Sequence, residues 1–216
     1  MNDILALLIP SFIETLYMIG VSAFFTILLG LPLGIILVIT EKNHIMPLLK
    51  LNKFLSTIIN IIRSLPAIIL IILIGPFARF IVGTSIGTTA AIVPLVVAAT
   101  PFFARIVETS LREIDSGIVE ASISMGATPL QIIIKVLLPE AMSSIVLGIT
   151  ITLINILGYS AIAGIVGGGG LGDLAIRYGY HRFRTDVLIA CVVLLIIIVQ
   201  ITQFLGNSLA KKLNKK

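Results

Sequence analysis

The stretch Glu120–Pro139 reads EASISMGATPLQIIIKVLLP and lies between long apolar runs. Ser116 stands where it would cap a short helix running to Met125, because a serine oxygen accepts hydrogen bonds from the unpaired N–H groups of a helix start. Gly126 follows at the predicted end of that helix, since glycine adopts the left-handed conformation of a helix stop at little cost. The first half of the stretch therefore predicts a short helix closed by a glycine turn.

The second half predicts another helix. Thr128 and Gln131 have the spacing of a capping box, and Pro129 occupies the first helical position, which proline tolerates well. Pro139 is expected to interrupt this helix just before the next apolar run, because proline removes a backbone hydrogen bond. Helix, glycine turn and helix together are typical of a water-facing hairpin.

The composition indicates that this hairpin belongs to a multi-span membrane protein. The chain has 216 residues, of which 58% are hydrophobic and only 12% charged. About 20 apolar residues are enough for a helix to cross a bilayer. We therefore expect an all-α membrane protein of five transmembrane helices, at residues 15–40, 54–78, 80–104, 141–166 and 187–210.

Basic residues in the loops predict the orientation of these spans, because Lys and Arg are enriched on the cytoplasmic side. The favoured arrangement has an extracytoplasmic segment at 1–13 and a basic cytoplasmic tail at 208–216. Its ten cytoplasmic basic residues are Lys42, Lys50, Lys53, Arg105, Arg112, Lys135, Lys211, Lys212, Lys215 and Lys216. Its four outer ones are Arg79, Arg177, Arg182 and Arg184. The hairpin then faces the cytoplasm.

The hairpin resembles the EAA loop of ABC-importer permeases, in which Glu-Ala-Ala is followed after three residues by Gly and then by a spaced Ile-x-Leu-Pro. Ser122 and Val136 replace the second alanine and the isoleucine, and both replacements keep the size and character of the side chain. The resemblance implies a type I ABC-importer permease domain at 14–207, with a cytoplasmic coupling loop at about 112–139. Its implied contacts with a separate ATPase subunit are Glu120, Ala121, Gly126, Ala127, Leu138 and Pro139.

Further segments extend the resemblance to the methionine-importer permeases of bacteria. They are RSLPAIILI, GTSIGTTAAIVPL, ITLINILGYSAIAG and GGGGLGDLAIRYGY. The resemblance implies a multi-pass protein of the bacterial inner (cytoplasmic) membrane that works as a homodimer. Its implied partners are two ATP-binding subunits, an extracytoplasmic substrate-binding lipoprotein and a small-molecule substrate, namely an amino acid and specifically methionine.

Polar residues inside the spans are candidates for the translocation path. Arg63, Ser64 and Pro66 form an Arg-Ser-x-Pro break that could line the path, or Arg63 could extend towards the membrane surface from near the helix start. In the fourth span, Asn155 and Tyr159 are four residues apart and share a helix face, next to Ser160. These three could line the path or form hydrogen bonds between helices.

Other chemistry finds no support in the sequence. There is no P-loop motif, so the chain is not expected to bind nucleotide or to be an enzyme itself. His44 and His181 lack ligand spacing, so neither a metal site nor a cofactor is predicted. No catalytic set stands out, and the basic residues form no patch for nucleic acid. The Gly167–Gly172 run is expected to be a flexible outer loop.

Two alternatives remain open at the level of the residues. A secondary transporter would need acidic residues inside its spans for ion coupling, whereas Glu14 and Asp173 lie at span edges. A membrane assembly protein would have no need for a capped hairpin of this pattern. Co-purification with a P-loop ATPase would separate the permease from both.

The charge bias leads to a topology prediction. Reporter fusions placed after Lys216 and within the segment 167–184 should report opposite sides of the membrane, the first cytoplasmic and the second extracytoplasmic. Equal signals from both positions would contradict the five-span arrangement.

Overall fold

The computed structural model describes residues 2–42 and 44–214, and every regular element in those ranges is helical. Met1, Lys215 and Lys216, which fall in the predicted terminal segments, lie outside the described residues. The α-helices are α1 Asn2–Ile39, α2 Leu49–Ser64, α3 Ala67–Val82, α4 Thr88–Arg112, α5 Ser116–Ser124, α6 Pro129–Ile132, α7 Leu138–Ile165, α8 Gly170–Leu174 and α9 Thr185–Leu213. Two π-helical turns, Ile133–Leu137 and Ala175–Tyr180, follow α6 and α8.

Four helices in the described part of the chain are long and apolar enough to cross a membrane. They are α1, α4, the continuous helix from Pro129 to Ile165, and α9. Helices α2 and α3 give a fifth crossing only when they are taken together as one broken span. The predicted all-helical, five-span fold is confirmed in this form.

The predicted second span, 54–78, is not a single helix. Helices α2 and α3 meet at 108°, and Leu65 and Pro66 lie between them. Leu65 is extended, with ψ 134°, because a residue before proline is disfavoured in the helical conformation. The break predicted at Pro66 is thus complete, and Pro66 becomes the residue that precedes α3.

The other predicted span limits shift as well. Helix α1 begins at Asn2, so the described part of the predicted N-terminal segment, residues 2–13, is already helical. Helix α3 extends to Val82, and α4 begins only at Thr88 and continues to Arg112. The predicted third span, 80–104, therefore starts inside α3 and ends two turns too early. Charged residues after position 104 remain helical because they are paired with one another, as described below.

Helices α1 and α4 pack closely through two glycines of α1. An added Cβ at Gly34 would lie 2.7 Å from the Ala104 carbonyl oxygen and 2.6 Å from Val107 Cβ. One at Gly30 would lie 2.8 Å from Phe103 Cδ1. The small-residue spacing of α1 therefore serves the close helix contact that such spacing favours in membranes. The buried core continues from this contact to α7.

Most of the Gly167–Gly172 run is buried structure, with only Gly167 exposed, which corrects the expectation of a flexible outer loop. Helix α8 starts inside the run, and Gly170, Leu171 and Gly172 are buried. Glu14 Oε2 accepts from the Gly170 N–H at 2.7 Å, and Thr15 Oγ1 accepts from the Leu171 N–H at 2.8 Å. Side chains of α1 thus satisfy the free N–H groups at the start of α8, which the apolar surroundings would leave without partners.

The hairpin and the ends of several helices lie at one end of the bundle. Arg112 at the end of α4 forms an ion pair with Glu41, which follows α1. Ser143 at the start of α7 donates to the Ala210 carbonyl near the end of α9 at 3.0 Å. The contact between α1 and α8 marks the opposite end. The lysine-rich loop after α1 and the lysines that end α9 therefore share the hairpin's end.

The hydrogen bond between α1 and α8 leads to a prediction about stability. Thr15→Val keeps the shape of the side chain but leaves the buried Leu171 N–H without its acceptor, which costs about 1–3 kcal/mol. We expect a lower denaturation midpoint for the variant purified in detergent. The matched control is Thr57→Val, because the Thr57 hydroxyl is exposed and donates only to a carbonyl of its own helix. Equal midpoints for both variants would contradict the role of Thr15.

Candidate coupling hairpin and transport groove

The first helix of the hairpin, α5, is capped by Asp115. The Gly117 N–H donates to Asp115 Oδ1 at 2.7 Å, while Ser116 is already the first residue of the helix. The predicted cap at Ser116 is therefore wrong by one residue. Asp115 is the better acceptor, since its negative charge also interacts favourably with the N-terminal end of the helix dipole.

The turn between the two helices has the geometry of a Schellman motif. Gly126 has φ +79°, and its N–H donates to the Ile123 carbonyl at 2.9 Å. The Ala127 N–H donates to the Ser122 carbonyl at 3.1 Å. These are the two bonds that close a helix behind a left-handed residue. The predicted left-handed glycine turn is confirmed, and Ala127 is part of it.

The second helix starts with the predicted capping box. The Thr128 N–H donates to Gln131 Oε1 at 2.9 Å, and the Gln131 N–H donates to Thr128 Oγ1 at 3.4 Å. Pro139 does not interrupt the helix, which corrects the expectation. A π-helical turn at Ile133–Leu137 precedes it, and Pro139 lies in the first turn of α7, where its missing N–H costs little. The hairpin is thereby continuous with a spanning helix.

The tip of the hairpin is apolar and exposed. Met125 is 81% exposed and Leu130 is 65% exposed, and Ile123 beside them is exposed as well. Val119 and Ile132 are buried in the same core cluster as Leu111, so they hold the hairpin on the bundle. An exposed apolar patch on a polar segment marks an interaction surface. Sequence reasoning missed these tip residues, although their position beside the glycine turn was visible.

Glu120 and His44 line one cleft beside α5. Its volume is about 210 Å³, and Glu41 and Arg112 also line it. Burial lowers the pKa of His44, and the nearby Glu41 carboxylate only partly opposes that effect. His44 is therefore neutral at pH 7. Because the pKa of His44 is lower in the folded than in the unfolded state, the neutral imidazole favours folding above the ordinary pKa of about 6.5. This contribution to the free energy of unfolding is lost as the pH falls through the lowered value.

Arg63 lines a groove of about 310 Å³ between α2, α4 and α7. The side chains of Arg63, Ser64 and Pro66 are exposed, and the Ser64 hydroxyl donates to the Ile61 carbonyl of its own helix at 2.7 Å. The groove combines apolar, hydroxyl and charged side chains; its other lining residues are Phe102, Arg105, Ile106, Thr109, Ser110, Glu113, Ser144, Leu147, Gly148 and Ile151.

Asn155, Tyr159 and Ser160 do not line this groove. Ser160 is buried, and its hydroxyl donates to the Leu157 carbonyl of α7 at 2.7 Å. Tyr159 packs against a core cluster that includes Met18 of α1. Asn155 is half-buried on the same helix. The structure therefore separates these residues from Arg63 and its neighbours.

Glu108 is a further buried charge that sequence reasoning missed. Its side chain is 2% exposed and pairs with both Arg105 and Arg112. The signal was available, since the three residues have the i, i+3 and i, i+4 spacing of helical ion pairs. The apolar run ends at residue 104, so the predicted third span excluded all three residues.

Comparison with known proteins assigns the chain to a family. Residues 30–216 match the family described as binding-protein-dependent transport system inner membrane component. The chain is 50% identical over 210 residues to the probable D-methionine transport system permease protein MetI of Vibrio cholerae, which covers 97% of this chain and 93% of that protein. The chain belongs to the binding-protein-dependent transport permeases. It is accordingly a multi-pass component of the inner membrane, and the resemblance seen in the sequence is confirmed.

Two further relatives support the family and the fold. The D-methionine transport system permease protein MetI of Escherichia coli is 54% identical over 158 residues, or 73% of each chain. A solved structure of inward facing conformations of the MetNI methionine ABC transporter superimposes with a TM-score of 0.97 at 48% identity, covering 100% of both chains. An amino acid ABC transporter at 21% identity and TM-score 0.80 shares the fold.

Proposed function

We propose that this permease forms the translocation path of an ABC importer for methionine, driven by a separate ATPase subunit. The observation that carries the proposal is the hairpin, whose Schellman turn and capping box present an exposed apolar tip at the spacing of the EAA pattern. The relatives named as methionine permeases support the substrate, because their similarity extends over most of the chain.

The hairpin docks in a groove of the ATPase subunit. Met125 and Leu130 provide apolar contact area, and Glu120 provides an exposed carboxylate that can pair with a basic group of the partner. Gly126 and Ala127 fix the turn that sets the angle between the two helices. Leu138 and Pro139 join the hairpin to α7, so a displacement of the hairpin moves a spanning helix.

The assembly is a homodimer of this chain with two ATPase subunits, which hydrolyse the ATP. Substrate arrives from an extracytoplasmic binding lipoprotein. The hairpin's end of the bundle faces the cytoplasm, and the N-terminus lies outside. Two observations support this orientation: the basic loops gather at that end, and the ATP used by the partner is cytoplasmic.

The groove beside Arg63 is the part of the path nearest the hairpin. Arg63 is exposed and has no ion pair among the described residues, so its guanidinium is available to the carboxylate of an amino acid. The break at Ser64–Pro66 fixes the position of Arg63 at the end of α2. Asn155 is a further candidate on α7, whereas the contacts of Tyr159 and Ser160 favour a role in helix packing.

The turn geometry leads to a prediction for coupling. Gly126→Val forces a β-branched residue into a left-handed conformation at a cost of about 1–2 kcal/mol or more, although an added Cβ meets no other atom within 4 Å. We expect the variant to insert and dimerise normally but to retain less ATPase on co-purification. Methionine-stimulated ATP hydrolysis in proteoliposomes should fall together with uptake.

Gly20→Val is the matched control, because an added Cβ at Gly20 also meets nothing within 4 Å and the residue is helical. It should keep both the complex and the turnover. Full complex and full coupled turnover in Gly126→Val would make the hairpin an ordinary connector.

A second prediction concerns the path. Arg63→Leu removes a charge from the groove and should aid membrane insertion, since leucine is favoured in a span. We expect equal expression but reduced methionine uptake at subsaturating concentration. Arg79→Leu on α3 is the control, since Arg79 is exposed and does not line the groove. Equal uptake by both variants would assign Arg63 to anchoring of the helix at the membrane surface.

A further inference from the structure

Glu108 is the buried carboxylate of an ionic cluster near the cytoplasmic end of α4, and the arginines of the cluster remain partly exposed. Its Oε2 is 2.6 Å from Arg105 Nη1, and its Oε1 is 2.7 Å from Arg112 Nη2. Both carboxylate oxygens are therefore occupied by guanidinium groups. The Glu108 side chain is 2% exposed, whereas that of Arg112 is 54% exposed. Of these two groups, only the Glu108 carboxylate is fully withdrawn from water.

Each arginine continues the cluster to another helix. Arg105 Nη2 donates to Asn60 Oδ1 of α2 at 2.9 Å. Arg112 Nε donates at 2.8 Å to Glu41 Oε1, in the segment that follows α1. Arg105 and Arg112 thus connect α4 to α2 and to the segment after α1, and Glu108 between them binds both guanidinium groups.

Stability alone does not explain such a cluster. Withdrawing charges from water carries a large desolvation cost, and buried ion pairs can often be replaced by apolar side chains without loss of stability. What the cluster does provide is fixed geometry. Arg–carboxylate pairs are directional, so the positions of α1, α2 and α4 relative to one another are set by a few bonds.

The cluster also lies between the two parts of the proposed transport machinery. Arg112 is the last residue of α4, and the hairpin helix α5 begins four positions later at Ser116. At the other side, Asn60 is three positions before Arg63, which lines the groove next to the break at Pro66. Arg105, Glu108 and Arg112 all belong to α4, so this helix carries a displacement of the hairpin. The bond from Arg105 to Asn60, with Arg105 held in place by Glu108, then passes it to α2.

We propose that Glu108 is a positioning residue that couples movement of the hairpin to α2 and the groove. This role of Glu108 rests on the proposed function, because it needs a hairpin that the ATPase displaces. Glu108 touches neither substrate nor ATPase. It makes the cytoplasmic ends of α1, α2 and α4 move as one unit, so ATP-driven displacement of the hairpin changes the groove at Arg63.

The test measures ATP hydrolysed and methionine transported in the same proteoliposomes, which contain the chain, its ATPase and the binding protein. Glu108→Gln keeps the volume but removes the charge that both arginines share. We expect the complex and its ATP hydrolysis to persist while the ATP-to-methionine ratio rises about five- to tenfold, the lower range of coupling between sites. A change in stability alone leaves this ratio unaltered.

Two further variants are measured alongside Glu108→Gln, the first as a second test of the link to α2 and the second as a control. Asn60→Ala removes the shorter bond from Arg105 to α2 and leaves the bond to the Ser56 carbonyl at 3.4 Å. Because Asn60 is exposed, this variant folds even if Glu108→Gln does not, and it should raise the ratio in the same direction. Asp186→Asn breaks an exposed carboxylate–arginine pair at the start of α9, outside the cluster, and should leave the ratio at the wild-type value.

The outcomes distinguish this inference from the proposed function. Wild-type ratios in both Glu108→Gln and Asn60→Ala would overturn the role of Glu108 while leaving the permease assignment intact. A wild-type assembly that shows no ATP-dependent methionine uptake would instead overturn the proposed function on which the inference rests.

Discussion

The close contact between α1 and α4 is the constraint on which the rest of the structure depends. Gly34 brings the α1 backbone against Ala104 and Val107, where any side chain would collide with the α4 backbone. At the far end, α1 supplies Glu14 and Thr15 to α8. At the near end, the segment after α1 supplies Glu41 to Arg112. One helix pair therefore positions both the buried glycine run and the base of the hairpin.

Features that depend on neighbouring residues were predictable from the sequence. The left-handed Gly126 and the capping box of Thr128 and Gln131 are formed by atoms within a few residues of one another, so their pattern is sufficient to identify them. The cap of α5 was misplaced to Ser116 because Asp115 and Ser116 are both good caps, and only the backbone conformation decides between adjacent candidates.

Features that depend on distant residues were not predictable in the same way. The composition of Gly167–Gly172 suggests a loop, but Glu14, 156 residues from Gly170, turns that run into a buried helix start. Pro66 predicts a kink, but the 108° angle depends on where α2 packs, including the bond from Arg105 to Asn60, 45 residues away. The spacing of polar residues in α7 made Ser160 a candidate for the translocation path or for hydrogen bonds between helices. Its hydroxyl donates instead to a carbonyl of its own helix.

We propose that ATP hydrolysed by a partner, and not an ion gradient, drives methionine through this chain. The most direct measurement uses proteoliposomes containing the purified chain, its ATPase and its binding protein, and follows labelled methionine with and without ATP. We expect accumulation that requires ATP and continues after ionophores have collapsed all ion gradients. Accumulation that follows an imposed ion gradient in the absence of ATP would contradict it.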